Sequence, residues 1–266
     1  MGLVSGTVLL TGASGGLGQA IARAFAARGA SLVLSGRRVD VLCSLAREVG
    51  GRVIACDLAR REEVDRLLDE VGELGAVDVL VANAALPASG TLLELDQAQI
   101  DRMLEVNLRA PVALARALAP MMAARRRGHM VFVSSLAGKA ASPSSSLYSA
   151  TKFGLRGFAL GIREDLRPHG VGVSVLLPGF IREAGMFAEA GVRLPHGVGT
   201  RSPEEVAAGV IRAVERNRAE VEVAPAELRL GAAFAGLAPE LAARVSRRMG
   251  GAKVASDLAE GQRGKR

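Results

Sequence analysis

One tyrosine and one lysine, four positions apart, could together form an acid/base pair. Tyr148 is the sole tyrosine of the chain, and Lys152 is one of few lysines among many arginines. If this segment heads a helix, as the apolar repeat after it indicates, both side chains share one face and the ammonium can reach the phenol. A positive charge at about 5 Å supplies about 3 kcal/mol at an effective dielectric of about 20, nearly enough to bring a phenol from its usual pKa of about 10 to neutrality. We therefore expect Lys152 to lower the pKa of Tyr148, with a second cation completing the shift. The alternative is a chance pairing on a solvated helix, so the pair needs a cofactor site beside it.

A glycine-rich stretch near the N-terminus has the composition of a phosphate-binding turn. The apolar run from Thr7 to Leu10 resembles a buried parallel strand, the stretch from Gly12 to Gly18 follows it, and a helical run from Gln19 to Arg28 comes next. Glycines between a strand and a helix let the backbone approach a diphosphate, whose charge the helix N-terminus then holds. A tight turn without a ligand also uses glycine, so the placement between strand and helix carries the prediction.

Two arginines stand where a dinucleotide fold meets the adenosine ribose. The second predicted strand, Ser31 to Leu34, is followed by Arg37 and Arg38. In such folds an acidic residue here binds the ribose 2′-hydroxyl, whereas an arginine accommodates a 2′-phosphate. The segment therefore favours NADP over NAD, the alternative being that the two arginines merely cap a loop in an arginine-rich protein.

Predicted strands and helices alternate along the rest of the chain. Strands are predicted at 52–55, 77–81, 130–133, 171–177 and 221–223, and helices at 39–48, 61–74, 96–108, 111–127, 226–236 and 239–249. This alternation is typical of an α/β protein with right-handed crossovers, in which ligands bind at the carboxyl ends of the strands. We therefore predict a doubly wound parallel sheet, a Rossmann fold in three layers with extra C-terminal helices. Residues 1–249 are expected to form a single domain, and residues 250–266 a polar, flexible tail.

Six motifs follow one another along the chain: Thr11-Gly12-x-x-x-Gly16-x-Gly18, Asn83-Ala84-Ala85, Asn107, Ser134-Ser135, Tyr148-x-x-x-Lys152 and Pro178-Gly179. They occur in the order typical of the short-chain dehydrogenase/reductase family, which the chain resembles from Thr7 to Ile181. The resemblance implies a catalytic tetrad of Asn107, Ser135, Tyr148 and Lys152. In the family the serine binds the substrate oxygen, the tyrosine transfers the proton, the lysine lowers the tyrosine pKa and binds the nicotinamide ribose, and the asparagine supports a relay water. Ser135 is assigned rather than Ser134 because it stands thirteen residues before Tyr148, the usual family spacing.

The same resemblance implies a set of cofactor contacts and no metal site. The diphosphate would lie on Gly12, Ser14, Gly16, Leu17 and Gly18, the adenine on Asp57 and Leu58, the ribose side on Asn83, and the nicotinamide end on Tyr148, Lys152, Pro178, Gly179 and Ile181. Two residues depart from the family pattern. Ala85 replaces the usual glycine, and Glu183 stands where a threonine is common, so that its carboxylate would repel phosphates unless it turned outward.

Two apolar segments follow the motifs. The glycine-rich stretch 183–202 contains Met186, Phe187, Leu194 and Pro195, and we interpret it as a flap over a largely apolar substrate. The C-terminal helices carry an apolar stripe of Leu228, Leu230, Phe234, Leu237 and Leu241. Core packing, a subunit contact, and a membrane-surface or lipid-substrate role all remain open for this stripe.

Composition excludes some classes of function. The net charge is +7, but aromatic residues make up 3% of the chain and tryptophan is absent, which argues against nucleic-acid binding. The two cysteines, Cys43 and Cys56, both in apolar sequence surroundings, lack metal-binding spacing and suit a reducing cytoplasm. No run is long enough for a transmembrane helix, so membrane contact would be limited to the surface.

These observations predict an NADP-dependent oxidoreductase that interconverts a carbonyl and a secondary alcohol on a largely apolar small molecule. We expect it to be a cytoplasmic homo-oligomer. The alternative function is a non-catalytic NADP-binding sensor or scaffold of the same fold, against which the complete set of four polar residues argues.

Overall fold

The computed structural model describes residues 2–87, 90–192, 198–248 and 251–262. Seven strands form one parallel sheet in the order β3-β2-β1-β4-β5-β6-β7. Their bounds are Thr7–Thr11 (β1), Ser31–Gly36 (β2), Arg52–Ala55 (β3), Val79–Ala82 (β4), Gly128–Val133 (β5), Val171–Pro178 (β6) and Glu220–Val223 (β7). The predicted doubly wound Rossmann fold is therefore confirmed.

Helices cover both faces of this sheet. Their bounds are Gly16–Ala26 (α1), Val39–Val49 (α2), Arg61–Glu73 (α3), Gln97–Leu104 (α4), Ala110–Ala124 (α5), Ser146–Leu166 (α6), Gly185–Ala190 (α7), Pro203–Glu215 (α8), Ala226–Leu237 (α9), Pro239–Arg248 (α10) and Gly251–Gly261 (α11). Helices α1, α2 and α8 pack on one face, and α3 to α6 on the other. Among the described helices, none combines the length and the apolar character required to cross a lipid bilayer.

Alternation along β1 explains the three layers. Leu9 belongs to the apolar core beneath α3 to α6, while Val8 and Leu10 belong to the core beneath α1, α2 and α8. Successive strand residues point to opposite faces, so an uninterrupted apolar run is what a strand covered on both sides requires.

The strand order reverses at β1. Strands β2 and β3 lie on one side of it and β4 to β7 on the other. Open α/β sheets bind ligands outside the carboxyl ends of the strands at such a switch point. The glycine-rich stretch follows β1 and Asn83 follows β4, so both motifs lie at this point.

The C-terminal part differs from the prediction. The range predicted as a polar tail contains α11, because Val254, Ala255 and Leu258 recur at helical spacing and Ala255 is buried. The range 183–202, predicted as a flap, contains α7, and its residues Leu194 and Pro195 lie outside the described residues. The end predicted at Met249 for the helix that begins at Pro239 also lies outside the described residues. Cys43, expected in apolar surroundings, is exposed, whereas Cys56 is buried.

Candidate active site

A single continuous cavity of about 2010 Å³ lies along the carboxyl ends of the strands. Every residue that the sequence assigns to the cofactor contributes to its wall: Gly12, Ser14, Gly16, Leu17, Gly18, Arg37, Arg38, Asp57, Leu58, Asn83, Tyr148, Lys152, Pro178, Gly179 and Ile181. Ser135 lines it as well, whereas Asn107 is fully buried behind it. The fold thus brings residues from both halves of the chain to one place.

The glycine stretch between β1 and α1 forms a cradle that side chains would fill. A Cβ atom on Gly18 would lie 2.2 Å from the carbonyl oxygen of Gly12, and one on Gly12, whose φ is +65°, would lie 2.7 Å from Cα of Ala84. Glycine permits both the positive φ and the close approach. The loop leads into the N-terminus of α1, whose free N–H groups suit an anion. These residues therefore fit a dinucleotide diphosphate.

Asn83 connects this cradle to the neighbouring strand. Its side-chain amide donates to the carbonyl oxygens of Thr11 at 3.1 Å and Gly12 at 3.2 Å, while the hydroxyl of Thr11 accepts from the backbone N–H groups of Asn83 and Ala84. The ends of β1 and β4 are held together in this way, which fixes the width of the switch point.

The two arginines after β2 have different surroundings. Arg38 donates to the carbonyl oxygen of Ser14 in the glycine loop. Arg37 is exposed at the edge of the cavity and forms no ion pair with any residue that the structure describes. A free guanidinium at this position is suited to a phosphate.

The far end of the cofactor cavity contains an ion pair that the sequence did not predict. One oxygen of Asp57 accepts from the backbone N–H of Ala59, and the other lies 3.1 Å from the guanidinium of Arg102. Arg102 comes from α4 and also lines the cavity. It carries no sequence signal, because only the packing of α4 beside the end of β3 brings it to this end of the cavity.

Ser135, Tyr148 and Lys152 converge where β5 ends and α6 begins. Ser135 lies close enough to Tyr148 to lower the pKa of the phenol, its hydroxyl accepts from the backbone N–H of Ala137 at 3.1 Å, and the ammonium of Lys152 lies 5.6 Å from the centre of the Tyr148 ring. Ser134 points elsewhere, because its hydroxyl donates to the carbonyl oxygen of Lys152 within the buried packing of α6. The serine closest to the phenol is therefore Ser135.

Burial determines the ionisation of this pair. It raises the pKa of Tyr148 to about 12, with the neighbouring Ser135 hydroxyl acting in the opposite direction, and it lowers the pKa of Lys152 to about 8. The expected lowering of the tyrosine pKa by Lys152 is thus wrong for the protein alone. The sequence argument counted only the attraction between the two charges, whereas removing the phenolate and the ammonium from water disfavours both charged forms.

Asn107 lies one layer behind the cavity. Its side-chain oxygen accepts from the N–H of Leu86 at 2.7 Å, and its amide nitrogen donates to the carbonyl oxygen of Leu86 at 3.0 Å. Residues Glu105–Arg109 form a π-helical turn between α4 and α5. The side chain therefore holds the loop after β4 rather than reaching the cavity, and the helix that carries it is irregular at this point.

Glu183 turns away from the cavity. It has a φ of +69°, is exposed, and pairs with Arg182 at 3.0 Å. The repulsion of phosphates considered from the sequence is therefore avoided. The next residue, Ala184, packs against the glycine loop, because a Cβ atom on Gly16 would lie 2.4 Å from that of Ala184.

Four helices enclose the part of the cavity beyond Tyr148. Met186 and Phe187 of α7, Leu228 and Phe234 of α9, Ala242 and Val245 of α10, and Val254, Ala255, Leu258 and Gln262 at α11 all line it. Leu230 and Leu237 of the predicted stripe instead point to solvent, with exposures of 72% and 88%. The stripe thus divides between the cavity wall and the surface. The contribution of α11 was missed, although the spacing of Val254, Leu258 and Gln262 could have revealed it.

An ion-pair network supports α9 above the catalytic loop. Lys139, which follows Ser135 by one short 3₁₀ turn, contacts Glu220 at 2.7 Å and Glu222 at 2.9 Å on β7. Arg229 of α9 contacts the same Glu222 at 2.8 Å. The serine loop, the edge strand and the covering helix are therefore joined by partly buried charges.

Comparison with known proteins gives consistent matches. The family model described as short chain dehydrogenase matches residues 6–193. A ketoacyl reductase HetN from Nostoc sp. strain PCC 7120 is 36% identical over 227 residues, covering 83% of this chain and 79% of the relative. Dehydrogenase/reductase SDR family member 7B from Xenopus laevis is 36% identical over 259 residues, covering 90% and 80%.

A solved structure resembles the whole arrangement. A short-chain dehydrogenase from Sphingobium yanoikuyae in complex with NADPH superposes with a TM-score of 0.76 at 27% identity, covering 88% of this chain and 95% of that one. The family match ends before α8, whereas the structural match covers a larger share of the chain.

Proposed function

The chain belongs to the short-chain dehydrogenase/reductase family and is an oxidoreductase that acts on CH–OH groups. From this premise we propose that it uses NADP(H) to interconvert a ketone and a secondary alcohol on a largely apolar molecule. The observation that carries the proposal is the meeting of Ser135, Tyr148 and Lys152 beside the glycine cradle within one cavity. Binding residues and proton-transfer residues thus face the same space.

The cofactor would be held mainly by backbone. The glycine loop and the N-terminus of α1 would bind the diphosphate, and Asp57 and Leu58 would border the adenine. Arg37, exposed and without an ion pair among the described residues, supports a preference for the 2′-phosphate of NADP. The NADPH complex of the related Sphingobium yanoikuyae enzyme is consistent with this choice.

The protein's own groups would handle the proton. When bound, the nicotinamide supplies or accepts hydride. Ser135 would donate a hydrogen bond to the substrate oxygen, and the hydroxyl of Tyr148 would give its proton to that oxygen as negative charge develops there. Lys152 would supply a fixed positive charge beside Tyr148. Asn107 would act as a positioning residue through the Leu86 loop.

The raised pKa of Tyr148 favours reduction of the carbonyl. A phenol with a pKa of about 12 is protonated at neutral pH, as a proton donor must be. Oxidation of the alcohol needs the phenolate, which burial disfavours. We therefore propose carbonyl reduction as the principal direction near neutral pH.

The test measures the consumption of NADPH with a panel of apolar ketones. We expect turnover by the unmodified protein and loss of at least about a hundredfold in Tyr148→Phe, since general acid catalysis contributes about 10² to 10⁴. NADPH affinity, measured by fluorescence titration, should remain nearly unchanged in this variant because only the hydroxyl is removed. A Phe variant that retained much of the rate would exclude Tyr148 as the acid.

A non-catalytic NADP sensor or scaffold is the competing function. It requires the cofactor cradle but neither Ser135 nor Tyr148. Binding of NADPH without turnover of any ketone or alcohol in the panel would favour it.

We also propose a single domain that assembles into a cytoplasmic homo-oligomer. Leu104 on α4 and Phe153 on α6 are exposed apolar residues that support a subunit contact on this face. Sedimentation of Phe153→Ser beside the unmodified protein tests the assembly, and two unchanged monomeric profiles would contradict it.

A further inference from the structure

The cavity extends beyond the residues assigned to the cofactor and to proton transfer. Pockets for single ligands commonly measure about 300 to 1,000 Å³. This one measures about 2010 Å³ and continues past Tyr148 into the space enclosed by α7, α9, α10 and α11. We call this second part the distal chamber and define it by Gly231, Ala242, Val245, Val254, Ala255 and Leu258.

Mainly apolar side chains line the distal chamber, although Ser246 and Arg247 of α10 border the cavity as well. Ala242, Val245, Val254 and Leu258 recur at helical spacing, so α10 and α11 each turn one apolar face towards the same space. No described residue of α10 is buried, although its inner face borders the cavity. Ala242 on this face is half-buried and Val245 is 44% exposed, so the face borders open space instead of packing against the protein's own side chains.

Helix α11 is firmly attached at this position. The side-chain amide of Gln262 donates to the carbonyl oxygen of Met186 at 3.0 Å, and a Cβ atom on Gly261 would lie 2.5 Å from the carbonyl oxygen of Ala190. The last turn of α11 thus lies directly against α7, and the two helices form one wall. The chamber is a built extension of the catalytic cavity.

We propose that the substrate carries a long, slender apolar chain that occupies the distal chamber while its carbonyl lies beside Ser135 and Tyr148. This rests on the proposed function and narrows its substrate class to long-chain aliphatic ketones. The chain fits because the chamber is continuous with the catalytic end and its walls are mainly apolar. Burying each methylene removes apolar surface from water, so affinity should increase with chain length until the chamber is full.

The test uses a homologous series of methyl ketones of about four to about fourteen carbons. With the unmodified protein, kcat/KM should increase by up to about fourfold per added methylene before it levels off. A kcat/KM that does not increase with length would overturn the proposal, while reduction of the short members would leave the proposed function intact.

The variant Gly231→Leu tests whether the dependence of kcat/KM on chain length arises in the distal chamber. Gly231 lines the cavity and is exposed, and a Cβ atom there meets nothing within 4 Å, so the backbone accepts a side chain at this position. Leucine is also a better helix former than glycine, and loss of folding is not expected. The ratio of kcat/KM between the longest and shortest ketones should fall about tenfold, as if about two methylenes were displaced.

The matched control is Gly72→Leu on α3. Gly72 is also a helical glycine with nothing within 4 Å, but it lies outside the cavity. In this variant, the ratio of kcat/KM between the longest and shortest ketones should equal that of the unmodified protein. Equal ratios for all three proteins would overturn the assignment of the chain to the distal chamber.

A measurement independent of turnover separates the two proposals. The long ketone is titrated calorimetrically into the NADPH complex of Tyr148→Phe and of the same protein carrying Gly231→Leu. Binding that is weakened by Gly231→Leu supports the chamber even if no ketone is reduced, whereas no binding, or equal binding, overturns it.

Discussion

The ammonium of Lys152 donates a hydrogen bond to the backbone carbonyl oxygen of Val133 at 2.9 Å. Val133 is the last residue of β5, and Lys152 lies in the second turn of α6. A backbone acceptor fixes the positive charge within 5.6 Å of the Tyr148 ring. No side-chain substitution on β5 removes this acceptor, so the position of the charge is a property of the fold.

Activity should therefore decline in mild alkali. Burial lowers the pKa of Lys152 to about 8, and above that pH the ammonium loses its proton and its charge. We expect kcat/KM for ketone reduction to fall through a pH of about 8, as measured in a pH–rate profile at saturating NADPH. Lys152→Arg should lose this alkaline limb, because arginine keeps its charge. A profile flat to a pH of about 10 in the unmodified protein would contradict the assignment.

Cofactor preference should depend on Arg37. Because its guanidinium is exposed at the edge of the cavity, we expect NADPH to bind about tenfold or more tightly than NADH, which is ~1.4 kcal/mol. Arg37→Asp should reverse the preference, since a carboxylate repels the phosphate and can accept from a ribose hydroxyl. Dissociation constants from fluorescence titration measure this.

A control for Arg37 is available on the helix that follows it. Arg47 lies in the last turn of α2, is exposed, and does not line the cavity. Arg47→Asp has the same change of charge and should leave the preference unaltered. Equal affinities for the two cofactors in the unmodified protein would refute the NADP assignment.

Alanine at Gly18 should eliminate cofactor binding. Its Cβ atom would lie 2.2 Å from the carbonyl oxygen of Gly12, a backbone atom that cannot move without distorting the cradle. Gly15→Ala is the control, because there the nearest atom is 3.4 Å away and φ is negative. We expect NADPH affinity to fall at least about a hundredfold for Gly18→Ala and less than about threefold for Gly15→Ala. Similar NADPH affinities of the two variants would mean that the glycine loop accommodates the added methyl group.

The sequence predicted those parts of the fold whose signal is local. The prediction of β3 at Arg52–Ala55 matches the structure, and the observed β1 is one residue longer than the predicted strand. An apolar run bounded by glycine or polar residues defines a strand covered on both faces, which is why these bounds could be predicted. The glycine motif and the spacing of Tyr148 and Lys152 are local in the same sense.

Other features depend on packing between distant segments. The pKa of Tyr148 is set by how deeply the fold buries it, and the contact of Arg102 with Asp57 joins residues far apart in sequence. The polar composition after Gly250 did not indicate α11, because the few apolar residues of this helix stabilise it only where a partner helix covers them. Sequence periodicity identifies an apolar face but not the segment that packs against it.

The buried His129 should make stability depend on pH. It lies in β5 with its Nε2 atom 2.8 Å from the hydroxyl of Ser174, and burial lowers its pKa to about 4. An unfolded histidine titrates near about 6.5, so between these values the unfolded chain binds a proton that the folded protein does not. Its contribution to stability is complete above about 6.5 and is lost as the pH falls towards 4, by about 3 kcal/mol in total.

Urea unfolding at a series of pH values measures this loss. His129→Gln should flatten the dependence between pH ~6.5 and ~4, since the amide does not titrate there. His169→Gln is the control, because that histidine is exposed and should leave the dependence intact. If the free energy of unfolding of His129→Gln changed with pH as in the unmodified protein, the dependence would arise from other groups.

The flap should respond to the cofactor. Ala184 packs on Gly16 of the cradle, and Met186 accepts a hydrogen bond from Gln262, so a ligand that orders the cradle should also stabilise α7 and α11. We expect slower hydrogen exchange in α7 and α11 when NADPH binds. Gln262→Ala should reduce the protection of α11 while leaving that of α1 unchanged, which separates the coupling from weaker cofactor binding. Unchanged exchange in both helices on saturation with NADPH would show instead that they are static walls of the cavity.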